Sequence, residues 1–357
     1  MTDNAQDILK QLELLEKADD FPPLLAAFEG ALPAEASART DALLQAGEIL
    51  NAKGQYADAQ RLLEMALQSA QKLASHSRQA LALGLMADIH RAQGNFRSAL
   101  SKLVEARERL DTTPQQDKEV SARLYIWSGL NNMSLGDYET ARQHFYEAYQ
   151  VYHKLDDHRG IAISSNRLGT IATMNAQYGE AEKYLQESLR IAKELGDRHA
   201  MAGALLNLGE IKRLQDNPQE ARPLYYESSA LFASLGMHRG MCIAENNLGH
   251  IHAKMQDFST AKYHYARAVE CAKIADLVPD MLDTLAGLVY IFIARQEYEP
   301  AVFCVAYILR HPAHLQETEQ FLEPAQQVVS RHAQFQGHLP PSEQLPQVVE
   351  EMISKIF

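Results

Sequence analysis

The stretch Asn166–Arg198, NRLGTIATMNAQYGEAEKYLQESLRIAKELGDR, decides the fold. Leu168, Ile171 and Ala172 recur at helical spacing in its first half, and Tyr178, Ala181, Leu185, Leu189 and Ala192 do so in its second. Each half reads as an amphipathic helix. The Ala176-Gln177 link is too short for anything but an antiparallel turn, so the two helices form a hairpin. Gly196 suits the left-handed position that ends a helix, and Asp197 is placed to cap the helix that follows.

The same pattern recurs along most of the chain. With Tyr178 as reference, the equivalent positions are Tyr56, Phe96, Tyr138, Pro218, Phe258 and Tyr298, at steps of 40, 42, 40, 40, 40 and 40 residues. Three residues after each comes an alanine: Ala59, Ala99, Ala141, Ala181, Ala221, Ala261 and Ala301. A small side chain there lets one helix approach another closely. One hairpin alone leaves an apolar face exposed, so neighbouring hairpins must stack.

The Leu-Gly-x-Ile and x-x-Tyr-x-x-Ala elements and the Leu-Gly-Asp-Arg junction resemble the tetratricopeptide repeat, in its longer form with a period near 40 residues. The resemblance implies an all-α protein, a right-handed α-solenoid of stacked antiparallel helix hairpins. Seven repeats are expected over residues 35–310, after a degenerate helical hairpin over 1–34 that covers the apolar end. Residues 311–357 are expected to add a capping helix over 315–332 and a terminal helix over 342–357. The segment Ala306–Ala313, followed by Glu317-Thr318, resembles the end of helical-repeat sensor regions in bacterial ATPase-linked transcription regulators. No GxxxxGK[ST] loop or helix-turn-helix pattern accompanies it.

Composition narrows the function classes. A net charge of -12 argues against nucleic acid as a direct ligand. No apolar run reaches bilayer length and no basic, then apolar leader opens the chain, so a cytoplasmic protein without a membrane partner is expected. Cys242, Cys271 and Cys304 sit at helix-core phases without CxxC spacing, as buried thiols would. His250 and His252 are two apart and point to different sides of a helix, so they do not chelate one metal by themselves. No nucleophile with its base or carboxylate pair interrupts the repeat. A non-enzymatic chain without cofactor or metal is expected.

Some repeats depart from the pattern. Repeat three has Ile126-Trp127-Ser128-Gly129 in place of Asn-Asn-Leu-Gly, and its second helix carries Phe145, Tyr146, Tyr149 and Tyr152, an aromatic stripe read as core. Pro223 lies inside the second helix of repeat five and is expected to kink it.

The family resemblance places ligands on the first helices, which line the concave side of such arrays. Positions 15, 12, 8 and 5 before each reference share one face of that helix. The candidate peptide-binding residues are Arg123, Asn166, Thr170, Asn207, Glu210, Arg213, Asn246, Asn247, His250 and Tyr290, with Thr173 beside them. A side-chain amide offers both donor and acceptor, and so holds an extended backbone without reading its side chains. The resemblance to kinesin light chains and bacterial peptide-pheromone receptors implies that role for Asn166 and Asn246. Amides that bond only between neighbouring hairpins remain the alternative. Arg123 and Arg213 are candidate anchors for an acidic ligand. The expected function is a scaffold that captures an extended segment of a partner protein. The alternatives are a sensory module for a small effector or peptide signal, and self-association through the terminal helices.

Overall fold

The computed structural model describes residues 8, 10–12, 14, 15, 22–112, 117–275, 277–312, 316–331, 341 and 344–354. The chain divides into two compact units, Met1–Ile171 and Ala172–Phe357. Among the described residues it is all-α, with the helices in consecutive antiparallel pairs as a tetratricopeptide-type solenoid requires.

The first unit contains α1 (Pro22–Gly30), then the pairs α2 (Ala36–Ala52) with α3 (Tyr56–Lys72), α4 (His76–Ala92) with α5 (Phe96–Asp111), and α6 (Lys118–Ser134) with α7 (Tyr138–Leu155). α8 (His158–Met174) opens repeat four, and the division between the units falls inside it. Leu25 and Phe28 of α1 join Ile8, Leu12 and Leu15 in the same buried cluster as Leu43, Leu62 and Leu83, as an end cap would. Leu14 beside them is 39% exposed. Apart from residues 8, 10–12, 14 and 15, the residues before Pro22 in the hairpin expected over 1–34 lie outside the described residues.

The second unit contains α9 (Tyr178–Leu195), the pairs α10 (Arg198–Leu214) with α11 (Pro218–Ser234), α12 (His238–Lys254) with α13 (Phe258–Ile274), and α14 (Val278–Ala294) with α15 (Tyr298–Arg310). α16 (Gln316–Ser330) and α17 (Leu345–Ser354) follow. α16 packs against α14 and α15, and α17 against α15, with Leu322, Val329, Val349 and Ile353 in the core of repeat seven. The described parts of both C-terminal segments are therefore helical and cover the last hairpin.

The repeat positions do what their residue types dictate. All seven alanines three residues after the reference are 0% exposed. Gly196 has φ +66°, Asp197 N–H reaches Ala192 O at 2.9 Å, and the Asp197 carboxylate accepts from Ala200 N–H at 2.9 Å. Asp117, Asp137, Asp157, Asn217 and Asp257 cap their helices in the same way. Two residues before every reference the chain turns left-handed, at Gly54, Gly94, Gly136, Ala176, Asp216, Gln256 and Gln296. Glycine holds that turn in three repeats only; in the other four a side chain tolerates it.

A glycine in the first helix also sets the fit of each hairpin. A Cβ on Gly129 would meet the Phe145 ring at 2.5 Å, and one on Gly209 the Tyr225 ring at 2.8 Å. Tyr265 is wedged between two such positions, at 2.6 Å for Gly249 and 2.7 Å for Gly287. Trp127, Phe145 and Tyr152 are buried, while Tyr146 is 45% exposed, so only part of the aromatic stripe is core. α11 continues through Pro223 to Ser234 as one helix. The three cysteines are buried and free.

Candidate functional site

All ten candidate residues are half-buried, as side chains lining a surface are. In the second unit six of them lie on α10 and α12. Glu210 accepts two hydrogen bonds from Arg213, at 2.8 Å from Nε and 2.5 Å from the terminal nitrogen. Tyr225, rising from α11 past Gly209, donates its hydroxyl to the same carboxylate at 3.0 Å. One repeat on, Tyr265 passes Gly249 and sets its hydroxyl 2.8 Å from His250 Nδ1. Glycine nine residues before the reference and tyrosine seven after it thus bring a buried phenol to the candidate face in two successive repeats.

Burial alone would raise the Glu210 carboxyl, but the hydrogen bonds and charge of Arg213 outweigh it and hold the group below its ordinary range. Those bonds to Glu210 raise the Arg213 guanidinium against the opposing effect of burial. Burial, with Arg213 nearby, pushes His250 down to about 4, so its imidazole is neutral near pH 7. If the Tyr265 hydroxyl donates to Nδ1, the His250 Nε2 carries the proton as a donor.

The amides differ from the ion pair. The Asn246 Oδ1 is out of solvent and has no hydrogen-bond partner among the described residues. Asn247 stands beside it, half-buried, and Asn207 occupies the preceding repeat. Tyr290 is placed differently: its hydroxyl donates to Phe321 O and its ring meets Phe321 edge-on at 4.9 Å. Helix α16 therefore covers the first helix of repeat seven at this point.

In the first unit Arg123 pairs with Glu48 at 2.6 Å and lies over the Trp127 ring at 5.0 Å. Asp88 receives Asn51 at 2.8 Å and both Nε and a terminal nitrogen of Arg91, at 3.0 and 2.8 Å. Thr170 donates its hydroxyl to Asn166 O in its own helix, at 3.0 Å. Two residues here were not nominated from the sequence. Arg167 has a buried Nε without a partner, and Asn131, 1% exposed, has neither amide atom satisfied. Asn131 stands where the other repeats carry Ile49, Ile89, Ile171, Ile211, Ile251 and Ile291, so alignment of the repeats does reveal it.

A further polar network, away from the candidate face, joins α11, α12 and α13. Glu245, 1% exposed, receives Ser229 at 2.5 Å, His264 Nδ1 at 2.7 Å and Arg267 at 3.1 Å. Tyr226 Oη lies 2.9 Å from His264 Nε2 and 3.1 Å from His252 Nε2, and His252 Nδ1 lies 3.1 Å from Asp257. His250 and His252 thus serve different clusters, as their spacing requires. Among the described residues no group of three or more His, Cys, Asp and Glu side chains is arranged for a metal ion, and no helix is long and apolar enough to cross a membrane. Burial raises Cys242 and Cys304 to about 12 and Cys271 to about 11, which suppresses thiolate formation.

The tetratricopeptide repeat model matches residues 39–112, 120–194 and 200–274, more than half of the chain. The chain belongs to the tetratricopeptide repeat family. No curated protein matches it. Among solved structures it is similar to a signal transduction ATPase with numerous domains that carries a tetratricopeptide repeat sensor, from Pyrococcus horikoshii. That likeness has 16% identity and a TM-score of 0.64 over 100% of this chain, and spans 55% of the other. A Rap protein complexed with Competence and Sporulation Factor matches at 15% identity and TM-score 0.62, covering 99% of this chain and 98% of that one. The apo quorum sensor NprR from B. thuringiensis matches at 15% and 0.62, with 98% of each chain covered.

Proposed function

We propose that this chain is a non-catalytic binding scaffold whose first-helix face captures an extended peptide segment of a partner protein. In the second unit the binding residues are Asn207, Asn246, Asn247 and His250. The observation that carries this reading is Asn246, whose Oδ1 is withdrawn from water and left without a donor. A buried acceptor in that state costs about 1–3 kcal/mol, which a peptide N–H recovers on binding. The adjacent Asn247 and the neutral His250 ring add polar groups suited to a peptide backbone. Glu210 and Arg213 satisfy each other, so they form a neutral wall rather than an anchor for an acidic ligand. The similarity to Rap and NprR supports the fold; the peptide reading rests on the amides.

Selection of a displayed random-peptide library on the full chain, followed by dissociation constants for synthetic binders, tests it. Asn246→Ala is expected to weaken binding about tenfold, equivalent to ~1.4 kcal/mol. Binders that lose less than twofold would remove Asn246 from the site. A selection that yields no binders would remove the peptide reading itself and leave the small-effector alternative.

A further inference from the structure

Three arginines and two carboxylates occupy the first-helix face of the first unit, and their pairing is uneven. Arg91 holds Asp88 through two hydrogen bonds, at 3.0 and 2.8 Å, and Asn51 takes the other Asp88 oxygen at 2.8 Å. Arg123 holds Glu48 at 2.6 Å and stacks on Trp127. The Arg167 side chain of α8 has no hydrogen-bond or ion-pair partner among the described residues, and its Nε is out of solvent. Arg167 holds the repeat position of Asn207 and Asn247, eleven residues before the reference, and its charge acts on Arg91 and Asp88 of the first helix two repeats earlier. Burial and the charge of Arg91 push the group below its ordinary range, and Asp88 offsets this only in part.

A guanidinium keeps its charge throughout the accessible pH range. Held half out of water without a counter-ion, it costs the free protein stability that an arriving anion restores. We propose that Arg167 is an oxyanion-binding residue, the anchor for a carboxylate of an extended acidic segment. Its planar fork matches a carboxylate in two parallel hydrogen bonds. Among the ionic groups named on this face one positive charge is in excess, which a singly charged carboxylate balances and a phosphate dianion exceeds. Arg123 and Arg213, the arginines the sequence nominated for this task, are both engaged by glutamates. This inference rests on the proposal that first helices face the ligand, and adds the chemistry of one contact.

Thermal unfolding of the full chain tests it at constant ionic strength with three probes: a blocked tri-glutamate peptide, the matching tri-glutamine peptide and inorganic phosphate. Tri-glutamate is expected to raise the Tm of the wild type and tri-glutamine to leave it unchanged. Arg167→Met is expected to raise the Tm of the ligand-free protein, by removing the unpaired charge, and to lower the affinity for tri-glutamate at least tenfold. Arg190→Met, at an exposed arginine of the second helix α9, serves as a control that keeps the tri-glutamate response. A response of equal size in Arg167→Met, or a lower ligand-free Tm in that variant, would overturn the proposal. A response to phosphate greater than to tri-glutamate, lost in Arg167→Met, would keep the oxyanion site and overturn its assignment to a carboxylate. If library binders of the wild type bind Arg167→Met equally well, this anchor fails while the scaffold reading stands. An Arg167-dependent tri-glutamate response without any library binder would fail the scaffold reading alone.

Discussion

Asn131 is the residue where the chain departs most clearly from its own rule. Six repeats place isoleucine at that position, and repeat three buries an amide there with neither of its polar atoms paired among the described residues. Restoring the apolar residue removes an unsatisfied group and fills the same core site. Asn131→Ile is therefore expected to stabilise the protein by about 1 kcal/mol or more, read as an upward shift of the urea midpoint. A lower midpoint would show that the amide is satisfied in the folded protein. His250 gives a second test at this scale. Its pKa falls from 6.5 to about 4 on folding, so the unfolded chain binds more protons between those values. The stability it contributes is present above pH 6.5 and is lost as pH falls toward 4, about 3 kcal/mol in all. A pH profile of unfolding should lose that part of its acid limb in His250→Gln. The sequence revealed which face His250 occupies because helical phase follows from spacing. It did not reveal that the ring is neutral, since that depends on burial beside Arg213 and on Tyr265 from the neighbouring helix.

At the scale of the element, each hairpin is fitted by an exchange of bulk. Where the second helix carries Phe145, Tyr225 or Tyr265, the first helix carries glycine opposite it. The pairing was half legible: the small residue stood out in the repeat, while its aromatic partner was visible only as part of a stripe. The helix caps were legible for Asp197 alone, although the same residue type recurs at other helix starts. The Glu245 network was not legible, because its members come from three helices and each has an ordinary phase in its own. Deleting the carboxylate leaves His264, Arg267 and Ser229 facing a buried void. Glu245→Ala is expected to cost about 3–5 kcal/mol in equilibrium denaturation, the range for breaking a buried charge pair from one side. A loss under 1 kcal/mol would show that the network contributes little to joining α11, α12 and α13.

At the scale of the whole molecule, the 40-residue period was sufficient for fold class and family, because every unit repeats the same packing problem and solves it alike. The candidate face was legible as a set of positions but not as a set of states. Spacing nominated Arg123, Arg213 and Asn246 together, yet the two arginines are engaged by glutamates and the Asn246 Oδ1 has no partner among the described residues. Periodicity fixes where a side chain starts, and only the neighbouring repeats decide whether it is already satisfied. The ends were less legible still: Tyr290 was assigned to the ligand face, and α16 lies across it. Hydrogen exchange of the full chain with and without a selected binder reads whether the first helices hold a peptide. Exchange is expected to slow in α10 and α12, around Asn207 and Asn246, and to stay unchanged in α11 and α13. Protection confined to α11 and α13, or to α16 and α17, would contradict it.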